Sequence, residues 1–300
     1  MEKIDILMAT FNGGKFIERQ IFSLISQSHK NWRLLVHDDG SNDGTIEIVK
    51  RFSELDSRII LIEDGLKYGN AGSNFLSLLN YCTSNFIIFC DQDDIWLDSK
   101  LEKLYLLLKS EDNPAAVYSN AYGFDGSAII SEKVSLIERN ELSNSLFLNS
   151  GVQGCSLMFN RKLLEIVLKK PDYIYMHDHY LTMAAVSFGK LIYLDECLML
   201  YRQHANNVTG NISISFKERL NSFLQRSNPI IDKNHYNANL AFYYFFEPRF
   251  TSKQKEIFTS YIVFPNLSFF NKIKSIFKYN FRIGNSKAIL ILKLFFKNTI

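Results

Sequence analysis

Short, unbroken apolar runs alternate with amphipathic stretches along the first 120 residues. Ile4–Ala9 is apolar except for Asp5 and gives way to Asn12-Gly13-Gly14, which predicts a buried strand ended by a turn. Phe16, Ile17, Gln20, Ile21, Leu24 and Ile25 then recur at spacings of three and four, predicting a helix over Phe16–Gln27. The alternation continues with strands at Trp32–His37, Arg58–Ile62, Phe86–Cys90 and Ala115–Ser119. Helices are expected at Thr45–Phe52, Ser73–Cys82 and Leu97–Leu108. Strands apolar on both faces, with helices between them, predict an α/β doubly wound, mostly parallel sheet flanked by helices. A second block reads as an extension of the same domain: Val152–Phe159, a helix at Arg161–Leu168, Met176–Ser187 and Leu191–Tyr201. Beyond Gly210 strand patterns vanish, and Phe, Tyr and Lys become dense. The sequence therefore predicts a sheet domain over 1–210 and a helical C-terminal region over 211–300.

Charge sharpens that boundary. The whole chain carries only +3, which points to no nucleic-acid partner, but residues 1–210 sum to about −7 and residues 211–300 to about +10. The four cysteines, Cys82, Cys90, Cys155 and Cys197, sit in apolar stretches without C-x-x-C spacing, as free thiols in a reducing compartment would. The N-terminal residues lack the basic-then-apolar order of a signal peptide, and no apolar run reaches the ~18 residues of a spanning helix. The expectation is a cytoplasmic protein.

In doubly wound sheets ligands sit beyond the carboxyl ends of the strands. Those ends here carry Phe11-Asn12, Asp38-Asp39 and Asp91-Gln92-Asp93-Asp94. Asp91 and Asp93 straddle a tight turn, and carboxylates so close repel unless a cation lies between them. Mg²⁺ or Mn²⁺ shared with a diphosphate suits that arrangement; the plainer reading is the acidic start of a helix. Asp39 can accept from a base N–H, although Asp38–Thr45 also reads as a loop capping a helix. Met176-His177-Asp178-His179 leaves three readings open: a general base at Asp178, a metal site at the histidines, or a capped helix start. Arg202 can face a phosphate, and nothing local decides the role of His204.

Taken in order, five runs resemble one family. They are Ile6–Gly13, Asp38–Thr45, Asp91–Trp96, Met176–Asp178 and Tyr201–Val208. The chain is similar to the family-2 inverting glycosyltransferases of GT-A fold, the Rossmann-like nucleotide-diphospho-sugar transferases, over roughly residues 1–210. Within that family it most resembles bacterial rhamnosyltransferases of cell-wall and capsular polysaccharide synthesis. The resemblance implies a GT-A catalytic domain in which Ala9, Thr10, Phe11 and Asp39, with Asn12 beside them, hold the nucleotide. It implies that Asp91 and above all Asp93 hold the metal on the donor diphosphate, with His204 nearby. It also implies that Asp178 is the catalytic base and that Arg202 lies close to phosphate. A Trp usual in relatives after the His-Asp pair is replaced by His179-Tyr180, close to where the acceptor would bind. The Gln-x-x-Arg-Trp motif of processive synthases is absent, which favours single-sugar addition. The expected reaction is metal-assisted transfer of L-rhamnose from dTDP-rhamnose to a lipid-linked glycan; UDP-galactose, UDP-glucose or UDP-GlcNAc is the alternative donor. A metal-dependent phosphoesterase, a nucleotidyltransferase and a non-catalytic glycan- or nucleotide-sugar-binding module are the rivals.

The last 32 residues carry several lysines and Arg282 but no acid. Phe269, Phe270, Ile273, Ile276 and Phe277 repeat at helical spacing among Lys272, Lys274 and Lys278, and Ala288–Phe296 is apolar apart from Lys293. One reading is a helix lying on an anionic membrane surface, with the enzyme peripheral at the inner face of the cell membrane. The other is a helix pair packed on the protein with its lysines in water.

Overall fold

In the computed structural model, residues 1–203 and 228–300 are described. The first apolar run forms β1 (Ile4–Thr10) and pairs in parallel with β2 (Trp32–Asp38) on one side and β4 (Phe86–Cys90) on the other. β3 (Ile59–Ile62) adds in parallel to β2. The crossovers are α1 (Ile17–Ile25), α2 (Thr45–Leu55) and α3 (Ala71–Leu78). α1 buries Ile17, Ile21 and Leu24, with Gln20, as its spacing requires. α3 begins two residues before the expected Ser73 because the Asn70 side chain caps it, accepting from Ser73 N at 2.8 Å. Asp5, the one acid in β1, is fully buried, and Arg33 of β2 holds it with two nitrogens at 2.7 and 3.0 Å. Ser84 Oγ and the amides of Thr83 and Ser84 complete its partners, fastening three strands at the end away from the polar clusters.

The remaining strands run antiparallel to their neighbours where pairing is defined. They are β5 (Ile95–Trp96), β6 (Ala115–Phe124), β7 (Ile129–Ser131), β8 (Leu157–Asn160) and β9 (Lys190–Arg202). The nine-stranded sheet has the order β3-β2-β1-β4-β8-β6-β9-β5, with β7 paired to β6. The expected helix over Leu97–Leu108 is shorter, α4 (Lys100–Leu108), since Ile95, Trp96 and the Leu97 amide are engaged with β9. Of the second block, Val152–Phe159 is strand only from Leu157 on, β9 spans Leu191–Tyr201, and α6 (Arg161–Val167) follows β8.

The chain divides into two compact units. Among the described residues the first comprises 1–136, 152–168 and 192–203, and contains almost the whole sheet. The second comprises 137–151, 169–191 and 228–300 of them. The boundary expected at residue 210 lies outside the described residues. The second unit holds α5 (Leu142–Ser145), α7 (His177–Phe188), α8 (Lys233–Phe246), α9 (Ser252–Val263), α10 (Phe269–Lys278) and α11 (Lys287–Phe296). The dense aromatics of the tail become its core. Phe147 packs its ring on Tyr261, Phe264 and Phe281 at 4.9–5.4 Å, and Phe250 stacks on Phe258 at 4.9 Å. No helix is long and apolar enough to cross a membrane among the described residues.

Candidate active site

Three polar segments follow strands of the first unit, and hydrogen bonds lock them together. The buried Thr10 hydroxyl donates to Asp38 Oδ2 at 2.7 Å, and Asp39 N donates to the Thr10 carbonyl at 2.9 Å. Asp38 also accepts from Gly40 N, Ser41 N and Ser41 Oγ, so it organises the loop. Asn12 adopts a left-handed backbone, φ 47°, and exchanges bonds with Ser41 Oγ and Asn42 N. Gly13 and Gly14 donate to Thr45 Oγ1 and Asp43 Oδ2 at 2.9 Å. The residues of the two loops thus bind each other first, leaving particular atoms open. Asp39 Oδ1 accepts from Tyr68 N at 2.5 Å, while its Oδ2 accepts nothing among the described residues. The Phe11 ring is 57% exposed at the strand end, and the Lys67 ammonium lies over Gly40, 2.5 Å from where a Cβ would stand. One carboxylate oxygen, one open aromatic face and one cation thus stand at these strand ends.

The Asp91–Asp94 turn lies between β4 and β5. Gln92 ties it back to the main chain of Phe11. Arg202, buried at the end of β9, donates from Nε to the Asp93 carbonyl at 2.7 Å and from its amide to Asp94 Oδ1 at 3.0 Å. The rings of Phe16 and Phe124 flank its guanidinium at 5.0 and 4.9 Å. Arg202 therefore fastens the acidic turn from behind. Asp94 is buried, and desolvation together with the charges of Asp91 and Asp93 pushes its carboxyl well above the usual range. Its Oδ2 has no hydrogen-bond partner among the described residues. Beneath the turn the buried Lys100 ammonium donates to the Cys155 carbonyl at 2.7 Å and to Met199 Sδ at 3.0 Å. It stands 3.7 Å from the Trp96 ring centroid, and burial brings its pKa down to about 8.

Ligand atoms of Asp91, Asp94 and Cys155 lie within 4.8 Å of one another, the one such group of three among the described residues. The oxygens of Asp91 and Asp94, among them the unpartnered Asp94 Oδ2, fit a hard divalent cation. The Cys155 thiol does not: burial, with Asp91 and Asp94 beside it, keeps it protonated. Asp93 is half-buried and outside this group, and His204 lies outside the described residues.

In the second unit Asp178 occupies the first turn of α7, where its Oδ1 accepts from His179 N at 2.6 Å. Burial pushes its carboxyl up to about 6, against the lowering effects of that amide and of Arg139. Arg139 is itself buried and donates to Ser150 Oγ at 2.8 Å. His177 and His179 are buried, and desolvation brings both down to about 3, so they are neutral at ordinary pH. Neither belongs to a cluster of three metal-ligating residues among the described residues. The motif thus opens a helix, with Asp178 in its first turn and its carboxyl raised toward neutral pH. Gly151 packs so tightly on this turn that a Cβ would stand 2.4 Å from the Asp178 carbonyl carbon and the His179 nitrogen.

Sequence reasoning missed Gln92 as a clamp and passed over Lys67, Arg139 and Gly151 entirely. Gln92 belongs to the Asp91–Trp96 run, whereas Arg139 and Gly151 sit in a stretch without periodicity.

The family pattern described as Glycosyl transferase family 2 matches residues 5–168. The dTDP-rhamnosyl transferase RfbG of Shigella flexneri is 31% identical over 71% of this chain and 76% of its own. The UDP-Glc:alpha-D-GlcNAc-diphosphoundecaprenol beta-1,3-glucosyltransferase WfgD of Escherichia coli is 30% identical over 72% of this chain and 81% of its own. The crystal structure of S. aureus TarS 1–349 in complex with UDP-GlcNAc has the same fold, with a TM-score of 0.56 and 15% identity. That likeness covers 92% of this chain and 89% of the other.

Proposed function

Since the chain belongs to glycosyl transferase family 2, a hexosyltransferase family acting on nucleotide sugars in bacterial polysaccharide synthesis, we propose that it transfers L-rhamnose from dTDP-rhamnose. The acceptor is a hydroxyl of a lipid-linked glycan, reached at the inner face of the cell membrane. The 31% identity to a dTDP-rhamnosyl transferase supports the donor, and the WfgD name supports a lipid diphosphate on the acceptor. The observation that carries the reading is the knot of hydrogen bonds joining Thr10, Phe11 and Asp39 to the Asp91–Asp94 turn. A base platform and a diphosphate-facing acid turn are thereby held as one body.

In this reading Phe11 and Ala9 flank the base, the open Asp39 oxygen accepts from it, and Asn12 shapes the loop. Asp91 and Asp93, backed by Asp94, would hold Mg²⁺ or Mn²⁺, which when bound supplies positive charge to the donor diphosphate. Arg202 keeps the turn in place and adds its own charge behind it. Asp178 takes the proton from the acceptor hydroxyl as that oxygen bonds to the anomeric carbon. The bond from that carbon to the diphosphate breaks on the opposite face, and the sugar is inverted. The proton ends on Asp178, the electron pair on the departing nucleotide.

A thermal-shift screen of dTDP-rhamnose, UDP-glucose, UDP-galactose and UDP-GlcNAc, with and without Mn²⁺, tests this. Metal-dependent stabilisation by dTDP-rhamnose alone is expected, and Asp93→Ala should abolish it. Stabilisation by a UDP-sugar instead would replace the donor and keep the fold-level reading. Relatives named as UDP-Glc transferases make UDP-glucose the second candidate.

A further inference from the structure

The C-terminal helices α10 and α11 form an antiparallel hairpin. Phe269 meets Phe295 with ring centroids 4.9 Å apart, and the Lys287 ammonium lies 5.6 Å over the Phe277 ring. Ile276 and Leu290 are fully buried on its inner side. The hairpin is anchored rather than frayed: Ile230 N and Ile231 N donate to the carbonyls of Asn298 and Thr299 at 2.9 Å, and Lys272 Nζ reaches Thr299 Oγ1 at 2.8 Å.

Its outer side breaks the usual pattern of a surface helix. An ordinary amphipathic helix turns its apolar stripe inward. Here Phe270 is 77%, Phe277 60%, Leu292 47% and Phe295 61% exposed, with Ile289 and Phe296 beside them. On α11 the positions Ile289, Leu292, Phe295 and Phe296 share one solvent-facing stripe, by the 100° step of a helix. Lysines border the exposed face: Lys274 and Lys278 along one side of the α10 stripe, and Lys293 and Lys297 beside that of α11. No acidic residue occurs after Glu256.

We propose that this face seats the protein on an anionic bilayer, with the six named apolar side chains in the acyl boundary and the flanking lysines at the phosphates. Charge selects the occupant. A patch for a second copy of this chain would set lysines against lysines, whereas an anionic lipid surface complements them. Ten-residue helices, about 15 Å long, are too short to cross a ~30 Å hydrocarbon core, so they lie in the interface. The purpose of this docking rests on the lipid-linked acceptor proposed above, but the docking itself needs neither donor nor acceptor.

Co-sedimentation of the full chain with vesicles tests it directly. Vesicles of phosphatidylcholine containing about 30% phosphatidylglycerol should pellet the protein at low salt and release it at high salt, while pure phosphatidylcholine should not bind. Phe270→Ser with Phe295→Ser should weaken binding at least ~10-fold at either salt. Lys274→Glu with Lys278→Glu should weaken it roughly fivefold or more per lysine and flatten the salt dependence. Donor-induced thermal shift should be unchanged in both, showing that the fold persists. No pelleting, equal binding to neutral vesicles, or a dimer that the serine variant dissociates would overturn the proposal. Vesicle binding without transfer to any lipid-linked acceptor would uphold the docking and refute the acceptor.

Discussion

The side-chain amide of Gln92 pairs with both polar groups of the Phe11 main chain, accepting from N–H at 3.1 Å and donating to C=O at 3.0 Å. The contact is possible only because Gly13 has no side chain; a Cβ there would stand 2.2 Å from Gln92 Oε1. One residue of the acid turn thus sets the position of the aromatic at the end of β1. Two such bonds contribute about 1 kcal/mol each, so Gln92→Ala should raise the donor KM roughly 5- to 30-fold. Turnover at saturating donor should fall far less. An unchanged KM would show that the two loops hold their places independently.

As the proposed base, Asp178 should set the pH dependence. It accepts a proton only when ionised, and burial raises its carboxyl to about 6. The rate at limiting substrate should therefore be level above that pH and fall about tenfold per unit below it. Asp178→Asn should lose a factor on the order of 10²–10⁴ in turnover while keeping the donor-induced thermal shift. A variant retaining full activity would move the base elsewhere.

Gly151 offers a subtler probe of the same group. Its Cα lies against the peptide joining Asp178 and His179, so Gly151→Ala must push that turn away. Overpacking of this kind costs about 1–3 kcal/mol of stability. The informative result is a drop in kcat larger than the loss of folded protein at the assay temperature, measured beside a urea titration.

Asp5 and Arg33 govern acid stability at the far end of the sheet. Burial alone would raise the Asp5 carboxyl, but Arg33, Ser84 and Thr83 hold it below its ordinary 3.8. A depressed carboxylate contributes stability above that value, and the contribution is lost as pH falls through the folded pKa. Arg33→Ala leaves a buried carboxylate without its partner and should cost about 3 kcal/mol or more, seen as a lower urea midpoint at pH 7. The difference between the two proteins should shrink in acid.

The sheet was legible because both of its faces are covered, which writes each strand as a continuous apolar run. Asp91-Gln92-Asp93-Asp94 was legible because acids rarely follow such a run without a purpose. Arg202 was visible as a residue, but its hold on the Asp93 carbonyl was not, since that depends on β9 pairing with a two-residue strand. Arg139 and Gly151 lie in an aperiodic segment that joins the second unit only in three dimensions. The aromatic tail showed its helices in the spacing of Phe and Lys. It did not show which apolar positions face outward, because periodicity marks a stripe without saying which way it points.

Lys100 carries one last consequence. An ammonium sealed beneath three clustered acids, Asp91, Asp93 and Asp94, already balances part of their repulsion before any cation arrives. The enzyme stripped by a chelator should consequently remain folded, idle but intact, with an unchanged melting temperature. Lys100→Met should make the same chelated protein melt earlier and lean on added Mn²⁺ to recover.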